Sequence, residues 1–307
     1  MAAAAQPVEE TLAQEAQQAP RAATVAMLAG LFTVAGTVLQ GVALRDRPTV
    51  TLPDGLRDIA NPTSNHGLLE PTLLFVKDKL ALLTAGQLLT ALAAPLAALA
   101  LVYLFRATRA RNPGLGQGAL IAVAAGGIAS LVGGFVGQIA VDISVSNFID
   151  AADHSTKAAH DALQPSIALT AGLIGFVGHV ALGLGIVLVA LNAMRVGLLT
   201  RFMGVLGIMA GVFLAFPFFS IPIVQAFWLV GIGILFLGRF PNGTPPAWET
   251  GRAEPWPSRQ QMMEQQGKAP GGRGAPKVAG PPPAADPLAS APERPAHVRS
   301  KKKKRRR

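Results

Sequence analysis

Met203 to Gly238 reads MGVLGIMAGVFLAFPFFSIPIVQAFWLVGIGILFLG, 36 residues without a charge. As one helix it would extend about 54 Å, well beyond the ~30 Å hydrocarbon core of a bilayer. Pro217 and Pro222 divide it, because proline removes a backbone donor and clashes with the preceding turn. The stretch predicts two helices, at about 203–216 and 221–238, joined by a tight turn near one membrane face. The alternative is a re-entrant hairpin with both ends on one side. How the stretch divides decides the fold, since four other uncharged runs, 22–44, 80–105, 118–141 and 167–194, are each long enough to cross alone. The expected architecture is an all-α integral membrane protein, a six-helix transmembrane bundle over 21–238. A disordered or surface-lying leader over 1–20 precedes it, and a disordered cytoplasmic tail over 239–307 follows.

Composition agrees with a membrane chain. Half of the 307 residues are apolar and only 14% are charged, against roughly a quarter in soluble domains. Met1 to Gly238 holds 12 basic and 12 acidic residues, whereas the last 69 hold 15 and 5, so the whole net charge of +10 belongs to the tail. The lack of cysteine excludes disulfides, thiolate nucleophiles and cysteine-bound metals. A secretory signal is disfavoured for the first run: it exceeds a signal's roughly 7–15-residue core, and Glu9, Glu10 and Glu15 precede it.

Lys and Arg accumulate in short cytoplasmic loops. Arg106, Arg109 and Arg111 follow the second run, and Arg195 and Arg201 flank the turn after the fourth, so both loops are assigned to the cytoplasm. The segment 142–166 carries Asp142, Asp150, Asp153 and Asp161 against Lys157 and is assigned outside. Six crossings then place both termini in the cytoplasm of a cell bounded by this plasma membrane, with the basic tail beside the basic loops.

From Arg239 onward, where 13 of the 24 prolines lie, no core can form and a disordered arm is expected. It ends in Lys301, Lys302, Lys303, Lys304, Arg305, Arg306 and Arg307. Such a run contacts anionic lipid headgroups or docks an acidic protein. Nucleic acid is a weaker partner, because the last 51 residues hold no aromatic side chain to stack on bases. Trp248 and Trp256, set among prolines, suit a chain lying in the headgroup layer.

The Ala/Gly-rich spans, the stretch RVGLLTRFMGVLGIMAGVFLAFP (195–217) and the segment RFPNGTPPAWETGRAEPWPS (239–258) together resemble uncharacterised actinobacterial multi-span membrane proteins, grouped as domains of unknown function. In these a short basic turn precedes a GxLGxxAG span, here Gly204 to Gly211. The resemblance implies a bacterial plasma-membrane protein and supplies no catalytic or binding residue.

Ionisable residues deep in a membrane mark function, and His179 is the clearest one here. It is read first as a neutral ring bonded across a helix interface, and second as a ligand contact. Gln40, Gln87, Gln138 and Gln225 place one amide in each of four spans; with His179 they form a candidate polar cluster. Gly126, Ser130 and Gly134 recur every four residues in the third span, and Gly175 follows the same spacing in the fourth with Gly178 alongside, the pattern of closely packed helices. Asp150, Asp153, His154, His160 and Asp161 suit an amphipathic cap better than a metal site.

No HExxH, GxxxxGK or GxSxG motif occurs, so neither a cofactor nor enzymatic chemistry is expected. The favoured function is a membrane anchor or interaction protein with a basic arm. The alternative is a small-solute transporter, channel or sensor.

Overall fold

Residues 8–60, 67–216, 222–241 and 243–255 are described by the computed structural model. Apolar, helix-favouring Ala and Leu dominate the long runs, and the chain answers with long helices. These are α1 (Val8–Ala43), α4 (Leu80–Arg111), α5 (Gly118–Asp150) and α7 (Ser166–Arg195). Shorter helices are α2 (Leu52–Ala60), α3 (Glu70–Asp78), α6 (Thr156–Leu163), α8 (Arg201–Ala215), α9 (Pro222–Phe236) and α10 (Ala247–Thr250).

The expected six crossings are corrected to four. Among the described residues, four helices are long and apolar enough to span a bilayer. Helices α8 and α9 have 15 residues each, about 22 Å, which falls short of ~30 Å of hydrocarbon. The 36-residue run is too long for one crossing and too short for two. Both short helices reach the same end of the bundle. Helix α8 leaves the turn after Arg195, and Phe236, the last residue of α9, meets Tyr103 edge-on at 4.8 Å. The inner end of α8 lies at Gly183 of α7, where a Cβ would stand 2.9 Å from the Ala215 amide. That is twelve residues, about 18 Å, from Arg195. The chain is a multi-span all-α membrane protein with a half-length hairpin; the linker 217–221 lies outside the described residues. Large apolar side chains on the bundle's outside, among them Leu31, Ile128, Leu173 and Phe227, form a surface suited to lipid.

Going round the bundle, neighbouring helices are α1, α4, α5, α7, α8, α9 and α1 again, with α4 also touching α7 across the middle. The most extensive interface joins α5 and α7. A Cβ on Gly126 would run into the backbone of Gly178 and Leu182, and one on Gly178 would stand 2.5 Å from the Ser130 amide. Gly175 lies against Gly133 of α5, whereas Gly134 turns to Ala91 of α4. The GxLGxxAG glycines serve α8 alike: Gly204 meets Met194, Gly207 meets the Trp228 ring, and Gly211 meets Gly183. Trp228 is fully buried and donates its indole N–H to the Met203 carbonyl at 3.0 Å.

The basic end is fastened by Arg111, whose side chain is wholly buried. It holds both carboxylate oxygens of Glu15 at 2.6 and 3.0 Å and donates to the Ala247 carbonyl from Nε and Nη2. Its guanidinium lies 5.6 Å from the Trp248 ring centre. Trp248 in turn stacks on Tyr103 and donates to the Leu198 carbonyl at 2.9 Å. Trp248 is thus an internal latch. Gly197, at φ +81°, lies so close to the Glu254 carbonyl that no side chain fits there. The described residues of 239–255 consequently pack with the bundle. At the other end of the chain, residues 8–20 of the leader are helical and continuous with α1. Trp256 itself and the arm to Arg307, with Lys301–Arg307, lie outside the described residues.

At the far end, Leu73 and Val76 of α3, Val145 and Phe148 of α5 and Ala159 and Ala162 of α6 form a second small core. Ser155 caps α6, and its amide and hydroxyl hold the Asp153 carboxyl below the usual carboxylate range. The ring nitrogens of His154 face Glu70 and the Ala151 carbonyl. Among the described residues no three His, Asp or Glu side chains could hold a metal ion.

Two pairs of substitutions test this packing. Gly178→Leu forces α5 and α7 apart and lowers stability by about 1–3 kcal/mol or more, read as a lower Tm in detergent; Gly41→Ala, which meets open space, leaves Tm within a degree or two. Arg111→Met strands the Glu15 carboxylate and costs about 3–5 kcal/mol, while adding Glu15→Leu restores much of the loss.

Candidate functional site

Helix α8 ends beside Gly183 and α9 begins at Pro222, so the far halves of α1, α4, α5 and α7 extend past both helices. The space left is a cavity of about 600 Å³. It brings together Gln87 of α4, Gln138 of α5, His179 of α7 and Gln225 of α9. Gln40 stands behind Gln87, within hydrogen-bond reach.

Each polar group is oriented by its neighbours. Glycines set up the first pair: a Cβ on Gly36 of α1 would lie 2.6 Å from the Gly86 carbonyl of α4, and this close approach carries Gln40 to Gln87 and Thr90. The Thr90 hydroxyl donates to the Gly86 carbonyl at 3.0 Å, so it accepts from Gln40 Nε2 at 3.3 Å. The same Nε2 donates to Gln87 Oε1, also at 3.3 Å. Gln87 therefore spends its oxygen on Gln40 and keeps its NH₂. Across the cavity, Asp142 accepts from Gln138 Nε2 and from the Thr84 hydroxyl, each at 2.7 Å. A carboxylate only accepts, so Gln138 spends its NH₂ there and keeps its oxygen.

His179 Nδ1 lies 2.6 Å from the Gly175 carbonyl, which can only accept. Nδ1 therefore carries the proton, and Nε2 of the neutral ring is the acceptor. The buried Ser130 hydroxyl is 3.4 Å from the same Nδ1; with that nitrogen committed to the carbonyl, it cannot take a proton from the serine. Gln225 makes no hydrogen bond among the described residues. Among the described residues no charged side chain lines the cavity, and Ala93, Ala94, Val141, Leu182 and Leu214 supply apolar wall.

The cavity opens sideways. Thr37 of α1 and Phe176 of α7 both line it, and both are exposed, Phe176 at 46%. At the basic end α8 and α9 bridge α1 and α7. The lining of the cavity thus reaches the outer surface of the bundle at Thr37 and Phe176.

The sequence reading had the four glutamines and His179; Gln87, Gln138, Gln225 and His179 line the cavity, and Gln40 bonds to Gln87 from behind. It missed Thr33, Thr37, Thr84, Thr90 and Asp142. A same-face search would have found them: Thr33, Thr37 and Gln40 are spaced four and three apart, Gln87 and Thr90 three apart, and Gln138 and Asp142 four apart. No family model, curated protein or solved structure matches the chain.

Proposed function

We propose that the protein is a membrane-embedded receptor or carrier for a small uncharged molecule that enters its cavity from within the bilayer. The single observation that carries this reading is the convergence of Gln87, Gln138, His179 and Gln225 on one laterally open cavity without a charged wall. Its volume lies within the roughly 300–1,000 Å³ of small-molecule sites. The protein acts by binding, and no bond is made or broken there.

The basic end, holding Arg106, Arg109, Arg195 and Arg201, is the cytoplasmic one by the distribution of charge. Four crossings bring both ends of the chain to that side, as six would have. The tail, Lys301–Arg307, then meets anionic lipid or an acidic partner beneath a plasma membrane. The resemblance of the Ala/Gly-rich spans, 195–217 and 239–258 to uncharacterised actinobacterial membrane proteins supports placing the chain in a bacterial plasma membrane. A second reading, in which the bundle merely anchors the arm, draws on the confinement of all excess charge to the last 69 residues.

Native mass spectrometry separates the two, using the full chain, a chain ended after Trp256, and Gly172→Trp. Gly172 lines the cavity, and a Cβ there meets nothing within 4 Å, so the bulky side chain fills the space without disturbing the helices. The expected result is one uncharged small molecule per chain, retained after truncation and lost in Gly172→Trp. Anionic lipid alone, lost with the tail and indifferent to Gly172→Trp, supports the anchor and overturns the receptor.

A further inference from the structure

The orientations of the cavity amides prescribe the ligand's polar head. From them we infer that the site takes a neutral, hydroxyl-headed amphiphile, one whose head donates two hydrogen bonds and accepts one. This rests on the receptor reading above and adds the chemical class of the ligand.

Three groups make the pattern. Gln138 offers the cavity an oxygen, because Asp142 takes its NH₂ at 2.7 Å. The Thr84 hydroxyl reinforces that assignment: its proton goes to Asp142, leaving only its lone pairs to face Gln138 Nε2 at 3.4 Å. His179 offers Nε2 as a second acceptor, because the Gly175 carbonyl holds the proton on Nδ1. Gln87 offers an NH₂, because its oxygen is engaged by Gln40. Gln138 and His179 thus each have an acceptor to offer a ligand and Gln87 a donor, and Gln225 adds an amide that can serve either way.

An acceptor left dry against an apolar ligand loses its partner, so an occupant without donors is disfavoured by Gln138 and His179 together. An anionic head meets the same two acceptors and finds no cationic side chain in the wall, and an ionised head in an apolar site is penalised heavily. A hydroxyl pair satisfies both acceptors while keeping lone pairs for Gln87. The sideways mouth between Thr37 and Phe176, together with the apolar wall at Val141, Leu182 and Leu214, favours a molecule with a hydrocarbon body that arrives through the lipid.

The test is equilibrium binding to the full chain in phosphatidylcholine nanodiscs with three radiolabelled probes: a monoacylglycerol, its dimethyl ether and the corresponding fatty-acid anion. The diol is expected to bind saturably, at least tenfold more tightly than the ether and with no competition from the anion. Gln138→Leu and His179→Phe are each expected to weaken the diol about fivefold and to leave the ether unchanged, whereas Gln87→Leu weakens both. Each variant is also checked by Tm, and a variant that merely unfolds is recognised by a lowered Tm together with the loss of both probes.

If the ether binds as tightly as the diol and Gly172→Trp abolishes both, the receptor reading stands and the hydroxyl-head inference is wrong. Preferential binding of the anion likewise overturns the inference. If none of the three binds saturably, and native mass spectrometry finds the cavity empty, the receptor reading fails and takes the inference with it.

Discussion

A helix of 15 residues cannot cross a bilayer, and the arrangement of the far half of this bundle follows from that shortfall. Two short helices packed back to back complete the ring at the basic end, where α1, α8 and α9 close against α7. Beyond their inner ends, α1, α4, α5 and α7 line a cavity. In the low dielectric of a membrane, polar groups facing such a space must find partners or ligands. Here most of their bonding capacity is met internally, and the remainder points at the cavity.

Such an opening weakens a bundle unless the rest is held firmly. Lipid tails provide no hydrophobic drive between helices, so close packing must do it. Gly126, Gly133 and Gly178 bring α5 and α7 to backbone contact, and Gly36 with Gly86 does the same for α1 and α4. At the basic end the buried Arg111–Glu15 pair ties α1 to α4 and, through Ala247 and Trp248, to the turn before α8. The glycine contacts at α1 and α4 also carry Gln40 to Gln87, so one device both packs the helices and orients an amide of the site.

The membrane character and the four long helices were legible in the sequence because each rests on a run of uncharged residues long enough to span. The depth of the hairpin was not. Uncharged length sets an upper limit on a crossing, and whether 36 residues make two thin spans or one half-deep hairpin depends on what α8 and α9 pack against. The parity argument for six crossings had no power to choose, because four crossings return the chain to the same side. The glutamines and His179 were visible as individual residues, yet their convergence required the rotation of every helix about its axis. Trp248 misled for a local reason: an indole among prolines suits the headgroup layer equally well until Tyr103, Arg111 and the Leu198 carbonyl are seen around it.

The depth of the hairpin is the point on which the cavity depends, and electron paramagnetic resonance measures it directly. With no native cysteine, a single nitroxide can be placed at Phe216→Cys, beside the inner end of α8, and compared with one at Phe202→Cys near its start; both side chains are exposed. In liposomes, the Phe216 label is expected to collide freely with oxygen and rarely with a water-soluble nickel chelate, giving a depth inside the hydrocarbon core, while the Phe202 label lies near a headgroup layer. Strong nickel collisions at Phe216, equal to those at an aqueous loop on the far side, would mean that α8 crosses the membrane and would contradict the half-length hairpin and the cavity built upon it.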